Sequence, residues 1–426
     1  MTRGMIMLLV AATAMALLLA GCGSSQSEDQ GSRQGSEQEV GSSEQTPEPT
    51  TDERVVVHCA DSDSTGGQQE EAGRGDVSNG KIVFTRSTDV PSSASNIVGA
   101  VGDIYVVDEE GTHETKLTCT KQLEEDPIWS PDGQKIAYLT TGPSGFGMLH
   151  VMNADGTNRI RLPEGNLAGA VQGGGAPAWS PDGQKIVFVE IYSGDLYVIN
   201  ADGTNEARLT TLPSGYSEDA TALGSPAWSP DGKRIAFARG TVPDTSTASA
   251  ESSTEPASAS AEGLNGIYLI NVDGTGLRKL TSLAGERIFQ EFEGPVWSPD
   301  GEKIAFYYNG AINVIDADGS GRKELTARTH DPPQLAWSPD GKRIAFIGYA
   351  SELNVINADG SGQRSLTNAP GLSYVLWPTW SPDSQKLAFS CPPDLCVINV
   401  DGTGLKRIAT EVSTEEGEVT PSWGRE

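Results

Sequence analysis

The chain has 426 residues, a formal net charge of −28 and 50 glycines. No basic stripe is present in the sequence, which argues against nucleic acid and anionic lipid headgroups as partners, because phosphate binding needs clustered Lys and Arg. The length fits two or three ordinary domains or one large array of repeats.

The N-terminus has the pattern of a bacterial export signal. Arg3 gives a positive start, residues 5–19 form a short apolar run, and the segment "LAGC" ends at Cys22. This ending resembles the lipobox of bacterial lipoproteins, which implies that residues 1–21 are a signal peptide and that Cys22 carries acyl chains, palmitate among them. An uncleaved anchor is the alternative, but the run is short for a span of about 20 residues. We therefore expect a lipid-anchored protein on the extracytoplasmic face of the cell membrane, which it contacts only through the lipid.

Residues 22–52 are the expected tether between the membrane and the folded part. They are mainly Ser, Gln, Glu and Gly and contain too few large apolar side chains to offset the entropy lost on ordering. This composition predicts disorder. Residues 53–80 follow as a short N-terminal extension.

A repeated motif occupies most of the remaining chain. A β-branched run such as KIVF or RIAF occurs seven times, and so does a segment typified by LYVINADG, which is followed by a polar stretch ending near LT. Alternating apolar, β-branched and aromatic residues predict four short strands in each unit. The SPDG and ADG segments predict hairpin turns. The tetrapeptide WSPD occurs six times, beginning at Trp129, Trp179, Trp228, Trp297, Trp337 and Trp380.

Four-stranded units repeated at this spacing must pack on their neighbours around an axis. The first unit lacks its tryptophan strand, whereas the C-terminus supplies a spare one, "TPSW", at residues 420–423. We therefore predict an all-β fold, a seven-bladed β-propeller over residues 81–424 that is closed by the C-terminal strand joining the N-terminal blade. Residues 240–265, rich in Ser, Thr, Ala and Pro, are predicted to be a disordered insertion in the fourth blade.

The repeat resembles the TolB-type, WD-repeat-like β-propeller repeat, whose pattern is W-S-P-D-G-x-K-I-A-F. The resemblance covers residues 81–424 and implies the propeller fold. Ser384 replaces the glycine in the last copy, where we expect slight turn strain. TolB carries an α/β domain ahead of its propeller, and residues 53–80 are too few for one, so the partners of TolB do not transfer.

The cysteines suggest disulfides. Outside the cytoplasm the even number that remains besides Cys22 favours pairing. The segment "CPPDLC" places Cys391 and Cys396 at the two ends of a predicted hairpin loop, which leaves Cys59 to pair with Cys119. Zinc ligation by Cys391 and Cys396 is the alternative, although no second pair with zinc spacing accompanies them.

The strand order predicts two unlike faces of the disc. The SPDG and NADG turns are first and third connections within a blade, and we name their side the turn face. The irregular loops are second connections and links between blades, and we name their side the loop face. Binding residues concentrate in loops on rigid scaffolds, so we place the partner-binding surface on the loop face. The candidates combine aromatic rings and charge: Arg287, Phe289, Phe292, His330, Asp331, Tyr374 and Trp377. For Phe289, Phe292 and Trp377 the alternative is packing between blades.

The motifs offer little for catalysis. The chain has four histidines and neither a G-x-S-x-G elbow nor an H-E-x-x-H helix. Propeller lyases that act on pectin fragments share this repeat, but the histidine cluster that holds their manganese is missing. We expect no enzyme activity, no cofactor and no metal, and instead a monomeric scaffold that binds a protein or peptide of the cell envelope. An envelope glycan binder, or a lyase or hydrolase using loop carboxylates, is the alternative.

Overall fold

The structure, a computed structural model, divides the chain into two units, Met1–Asp52 and Glu53–Glu426. All described residues belong to the second unit. The predictions for the signal peptide, Cys22, the tether and Cys59 therefore concern residues outside the description. The described residues are 56–57, 80–88, 101–120, 122–141, 147–162, 176–190, 193–211, 221–241, 265–283, 294–327, 334–348, 351–367, 372, 374–413 and 419–424.

Strands form all of the regular structure in these residues. The strands of blades 1 to 3 are, in chain order, β1 (Val56–Val57), β2 (Ile82–Thr88), β3 (Val101–Val107), β4 (Thr115–Lys116), β5 (Glu124–Trp129), β6 (Lys135–Thr141), β7 (Gly147–Asn153), β8 (Ile160–Arg161), β9 (Ala178–Trp179), β10 (Lys185–Glu190), β11 (Asp195–Asn200) and β12 (Ala207–Arg208). Those that follow are β13 (Thr221–Leu223), β14 (Ala227–Trp228), β15 (Arg234–Thr241), β16 (Gly266–Asn271), β17 (Arg278–Ser282), β18 (Val296–Trp297), β19 (Lys303–Tyr308), β20 (Ala311–Asp316), β21 (Lys323–Glu324), β22 (Leu335–Trp337), β23 (Arg343–Ile347), β24 (Leu353–Asn357), β25 (Arg364–Ser365), β26 (Leu376–Trp380), β27 (Lys386–Cys391), β28 (Asp394–Asn399), β29 (Lys406–Ala409) and β30 (Ser422–Trp423).

Seven sheets form the blades, and in each the chain runs as an antiparallel meander. Blade 2 has the order β5-β6-β7-β8, and blades 3, 5, 6 and 7 repeat this order with β9 to β12, β18 to β21, β22 to β25 and β26 to β29. The predicted seven-bladed propeller is confirmed. In a meander, the first and third connections lie at one end of the strands, and the second connection and the link to the next blade lie at the other end. The turn face and the loop face therefore follow from the observed strand order.

Two blades carry an additional strand. In blade 1, β1 lies parallel to β4, with Val56 opposite Thr115. In blade 4, β13 lies antiparallel to the end of β15, with Thr221 opposite Thr241. This pairing places Gly240 and Thr241 at the end of β15. Residues 242–264 lie outside the described residues, so the disordered insertion at residues 240–265 stays a prediction.

The C-terminus closes the ring. β30 pairs with β2, with Trp423 opposite Ile82. The backbone N–H of Gly424 donates to the carbonyl oxygen of Lys81 at 2.8 Å. The innermost strand of blade 1 thus comes from the end of the chain and its other strands from the beginning, as predicted.

The hydrophobic core lies between the blades. In the cluster between blades 1 and 2, Val83 and Ile104 of blade 1 pack with Trp129, Ile136 and other residues of blade 2. Burying this apolar area stabilises the ring by about 25 cal/mol per Å². The interpretation of the repeated tryptophans as core residues is confirmed. Six of them are almost fully buried: Trp129, Trp179, Trp228, Trp297, Trp380 and Trp423.

The tryptophans of blades 3 to 7 also link neighbouring blades by hydrogen bonds. Each indole Nε1–H donates to the carbonyl oxygen of the residue before the tryptophan of the preceding blade, as Trp228 does to Ala178 at 3.0 Å. The other four donate in the same way: Trp179 to Ile128, Trp297 to Ala227, Trp337 to Val296 and Trp380 to Ala336.

The two tryptophans at the closing blade depart from this pattern. Trp423 donates to Gly80 within blade 1. The Nε1 atom of Trp129 is buried and has no hydrogen-bond partner among the described residues. Both interfaces of blade 1 therefore lack the indole link that joins the other blades.

On the turn face the polar groups are satisfied within each turn. In the second SPDG turn the Ser180 hydroxyl donates to Asp182 at 2.6 Å. Asp182 also accepts the backbone N–H of Gln184 at 3.0 Å. These bonds, led by that from Ser180, lower the pKa of Asp182. Asp182 is thus an ionised turn residue that holds the local backbone.

Ser384, the exception to the SPDG pattern, joins two blades. Its φ is +61°, in the left-handed region that favours glycine, so the expected strain is present. Its side chain is buried, and its Oγ accepts the backbone N–H of Asp340 in blade 6 at 3.0 Å. The serine thus gains a contact that glycine cannot make.

Disulfides are present as the sequence suggested. Cys391 and Cys396 are bonded, with their Cα atoms 5.9 Å apart, at the hairpin between β27 and β28. Cys119 is disulfide-bonded as well. Because Cys59 lies outside the described residues, its pairing with Cys119 stays a prediction.

Candidate functional site on the loop face

Buried charged groups distinguish the loop face from the turn face. Asp195 and Asp394 each begin the third strand of a blade, at its loop-face end, and both are buried. Arg239 lies near the loop-face end of β15 and Glu124 begins β5. All four residues thus lie at or near the loop-face ends of their strands.

The most extensive cluster lies between blades 3 and 4. Asp195 is fully buried and accepts a hydrogen bond from the Thr210 hydroxyl at 2.7 Å. It also accepts a hydrogen bond from Nη2 of Arg208, whose side chain is partly exposed. Arg239 enters from blade 4 and is 2% exposed, with its Nη2 3.7 Å from Oδ1 of Asp195. Burial lowers the pKa of Arg239 and the charge of Asp195 opposes this change, so the guanidinium stays charged.

A second cluster lies between blades 1 and 2. The Glu124 carboxyl is 1% exposed and accepts a hydrogen bond from the Thr118 hydroxyl. Burial raises the pKa of Glu124 to about 7. Nearby, His150 stacks on Tyr138 with ring centroids 5.2 Å apart, and burial lowers the pKa of His150 to about 4. At neutral pH this interface thus holds a neutral imidazole and a carboxyl close to its titration point.

Two of the predicted partner-binding residues are described, and both are in blade 7. Tyr374 is 37% exposed. Trp377 is half-buried, and its backbone N–H donates to the side-chain oxygen of Gln334 in blade 6. The other five lie outside the described residues, so their roles stay predictions: Arg287, Phe289, Phe292, His330 and Asp331.

Trp377 has an unusual backbone conformation. Its φ is +55°, although it is bulky and precedes Pro378, two properties that disfavour the left-handed region. A register shift in β26 accompanies it. Asp126, before Pro127 in blade 2, has the same feature with a φ of +51°. Such positions are enriched at functional sites.

The residues three before each tryptophan, which we name the channel rim, contact one another between neighbouring innermost strands. The backbone N–H of Ala176 donates to Oγ of Ser225 at 3.1 Å. Gly294 is so close to Ser225 that a Cβ atom would lie 1.8 Å from its carbonyl oxygen. These positions therefore adjoin from blade to blade around the axis.

Sequence reasoning missed Asp195, Arg239 and Glu124. A signal was present in the aligned repeats. The position of Arg239, five residues after the basic residue that starts the second strand, holds six residue types in the seven blades, with arginine only in blades 1 and 4: Arg86, Thr140, Glu190, Arg239, Tyr308, Gly348 and Cys391. Because the rest of the strand is regular, this variation indicates a position at which the fold does not dictate the residue.

Metal-binding clusters and membrane-spanning helices are both absent from the described residues. Within them, no group of three or more His, Cys, Asp or Glu side chains is arranged to hold a metal ion. The same part of the chain contains no helix long and apolar enough to cross a membrane.

No protein-family model and no curated protein matches the chain. TolB from Acinetobacter baumannii is a similar solved structure, with 19% identity and a TM-score of 0.44 over 83% of this chain and 68% of that one. An oligogalacturonate lyase in complex with manganese has 13% identity and a TM-score of 0.49 over 78% and 86%. A nidogen/laminin complex has 11% identity and a TM-score of 0.44 over 81% and 98%. These likenesses carry no argument about function. The chain is a seven-bladed β-propeller by its own strand order and register, and TolB structures are among the folds similar to it.

Proposed function

We propose that the chain is a lipid-anchored, extracytoplasmic β-propeller that binds a protein or peptide of the cell envelope on its loop face and catalyses no reaction. The observation that carries the proposal is the difference between the two faces. The turn face repeats one set of internally satisfied turns, whereas every long, dissimilar connection belongs to the loop face. A rigid ring that varies on one side only is suited to present a binding surface there.

The described part of the loop face offers anchors for a protein partner. Tyr374 is partly exposed, and three residues later Trp377 has a strained backbone at the channel rim. Tyrosine and tryptophan supply large contact areas at low entropic cost, and both are common among residues that dominate binding energy. We propose that these two residues contact the partner.

Photo-crosslinking in intact cells tests the binding proposal. A photoreactive phenylalanine analogue at position 374 probes the loop face, and the same analogue at Asp202, an exposed turn-face residue, is the matched control. We expect protein adducts from position 374 and none above background from position 202. Adducts from position 202 alone, or recovery of polysaccharide alone, would contradict the proposal.

The membrane anchor is tested separately. Mass spectrometry of the mature protein is expected to find an N-terminal peptide that begins at Cys22 and carries acyl chains. A Cys22→Ser variant should leave the membrane fraction. Mature protein that begins before Cys22, or a Cys22→Ser variant that still fractionates with the membrane, would remove the anchor from the proposal without affecting the loop-face test.

A further inference from the structure

We propose that Arg239 binds a carboxylate group at the loop-face end of the interface between blades 3 and 4. This inference deepens the proposed function, on which it rests for the source of the carboxylate, because it names the chemistry of a group that the partner presents. The site itself depends only on the residues around Arg239.

The first observation is a buried guanidinium with unused donors. Arg239 is 2% exposed, and its Nε and Nη2 atoms have no hydrogen-bond partner within the described part of the chain. The nearest carboxylate oxygen, Oδ1 of Asp195, is 3.7 Å from Nη2, which is beyond hydrogen-bond distance. Leaving charged donors buried and unpaired is costly, so such a group calls for an acceptor.

The neighbouring acid is already engaged. Asp195 accepts hydrogen bonds from Thr210 and Arg208. The charge of Glu190 acts on Arg208. Tyr268, on the strand beside Arg239, is the other group whose charge acts on it. Arg239 therefore has an ion-pair contact with Asp195 at 3.7 Å but makes no hydrogen bond to it.

A matched arginine in blade 1 shows what a structural role at this position looks like. Arg86 occupies the same position of the second strand. Its Nη1 donates to the carbonyl oxygen of Thr410 at 2.7 Å, and its Nη2 pairs with Glu114 at 2.5 Å. Its Nε alone lacks a partner among the described residues. Blade 7 and blade 1 thus supply hydrogen-bond acceptors to Arg86, whereas the described residues of blades 3 and 4 supply none to Nε and Nη2 of Arg239.

The geometry of the unused donors selects the ligand. Nε and Nη2 lie on one edge of the planar guanidinium, and their N–H bonds form a fork that matches the two oxygens of a carboxylate. The net charge of −28 repels anions from the protein surface as a whole. Non-specific binding of a carboxylate is therefore disfavoured. Saturable binding at one site would indicate specific recognition by Arg239.

Thermal unfolding of the purified mature protein in sodium acetate tests the site, with acetamide as the uncharged control of similar shape. Saturating acetate should raise the Tm of the wild-type protein by a few degrees, and acetamide should not. In Arg239→Met this rise should be lost, and without acetate its Tm should equal or exceed that of the wild type, because the buried charged donors that lack hydrogen bonds are gone. Arg239→Lys keeps the charge but not the fork, and its rise should be much smaller.

Arg86→Met is the matched control. It should lower the Tm without acetate, because it removes satisfied hydrogen bonds, and it should keep the acetate-dependent rise. If Arg239→Met lowers the Tm as Arg86→Met does, or if acetate leaves the wild-type Tm unchanged because water satisfies Arg239, the site is structural and the proposal fails.

A second titration identifies the source of the carboxylate. A short peptide with a free C-terminus is compared with its C-terminal amide and with acetate. At least tenfold tighter binding of the free peptide than of either reference supports a peptide ligand. Equal binding of peptide and acetate supports the site but contradicts its link to a peptide partner. Because acetate binding needs no envelope partner, failure of the crosslinking experiment and failure of this site are distinguishable.

Discussion

At the residue scale, single buried groups set the chemistry of the interfaces between blades. Glu124 and His150 lie at the same interface, and burial moves their pKa values in opposite directions, to about 7 and to about 4. Each group is therefore held in its neutral form, at the expense of the charged one. The stability of this interface should depend on pH at both ends of the neutral range.

Glu124 governs how the stability of this interface changes as the pH rises. Its folded pKa is raised above the ordinary value of 4.5, so its stabilising effect is complete below about pH 4.5 and is lost as the pH rises through about 7. Glu124→Gln should abolish this loss and be more stable than the wild type at pH 8 by about 2 kcal/mol, while differing little at pH 5. Denaturant titrations at the two pH values measure the difference. A Glu124→Gln variant that is less stable than the wild type at pH 8 would contradict this account.

His150 governs how the stability of this interface changes as the pH falls. Its folded pKa is lowered from 6.5 to about 4, so its contribution is present above about pH 6.5 and is lost as the pH falls through about 4. His150→Gln should therefore lose less stability than the wild type between pH 6.5 and pH 4. Denaturant titrations at pH 6.5 and pH 4 measure this loss. If His150→Gln loses as much stability as the wild type over this range, the buried imidazole is not held neutral.

Ser384 provides a second residue-scale prediction. Its hydroxyl accepts the N–H of Asp340 while its backbone is in the left-handed region. Ser384→Ala keeps the strain and loses the bond, so it should lower the free energy of unfolding by about 1 kcal/mol. Ser384→Gly loses the bond but relieves the strain, and should lie closer to the wild type. Equal losses in the two variants would show that the strain is negligible.

At the element scale, the fourth strands carry basic residues that hold the next blade. Four residues at the same strand position reach forward: Arg278 to Ala317 and Asp318, Lys323 to Asp359, Arg364 to Val400 and Lys406 to Glu110. The corresponding residues in blades 1 to 3 are Thr115, Ile160 and Ala207, which are too short or apolar for this contact. At this strand position the contacts therefore run from blade 4 round to blade 1. Between blades 2 and 1 a different residue makes the outer contact, because Nη2 of Arg159 donates to the carbonyl oxygen of Leu117.

Exchanging residues at this position tests the clamp. Arg278→Met should destabilise the protein by about 0.5–1 kcal/mol, a modest loss because the bonds are exposed. Ala207→Arg in blade 3 should add a similar amount by reaching the turn of blade 4. Calorimetry on both variants gives the comparison. A stabilising Arg278→Met or a destabilising Ala207→Arg would argue against a general role for this contact.

At the scale of the whole molecule, the closing blade is the weakest part of the ring. Its two interfaces lack the indole link, and Trp129 Nε1 is buried without a partner among the described residues. Exposed ion pairs replace the link in part, between Lys386 and Glu109 and between Lys406 and Glu110. Salt screens such pairs. The ring should therefore open first at blade 1.

Hydrogen exchange measures this order directly. Amides of β2 and β3 should exchange faster than those of β19 and β20 in blade 5, and the difference should widen when salt is raised from 0.05 M to 0.5 M. Blade 1 amides that exchange more slowly than those of blade 5 would contradict the assignment of the weakest point.

The sequence was sufficient for the architecture but not for the buried charges. Counting tryptophan strands predicts the pairing of Trp423 with Ile82, because a ring of repeats leaves one place for a spare strand. The strand at Val56–Val57 has no periodicity to reveal it. The proximity of Arg239 to Asp195 depends on how two blades pack, and no local pattern encodes a contact between residues 44 positions apart in the sequence.

The central claim is that the partner binds the loop face. Hydrogen exchange of the purified propeller, with and without the partner recovered by crosslinking, tests it most directly. We expect protection in the peptide spanning residues 374–380 and in amides at the start of β11, with no change in the SPDG turns. Protection confined to the SPDG and NADG turns would contradict the claim.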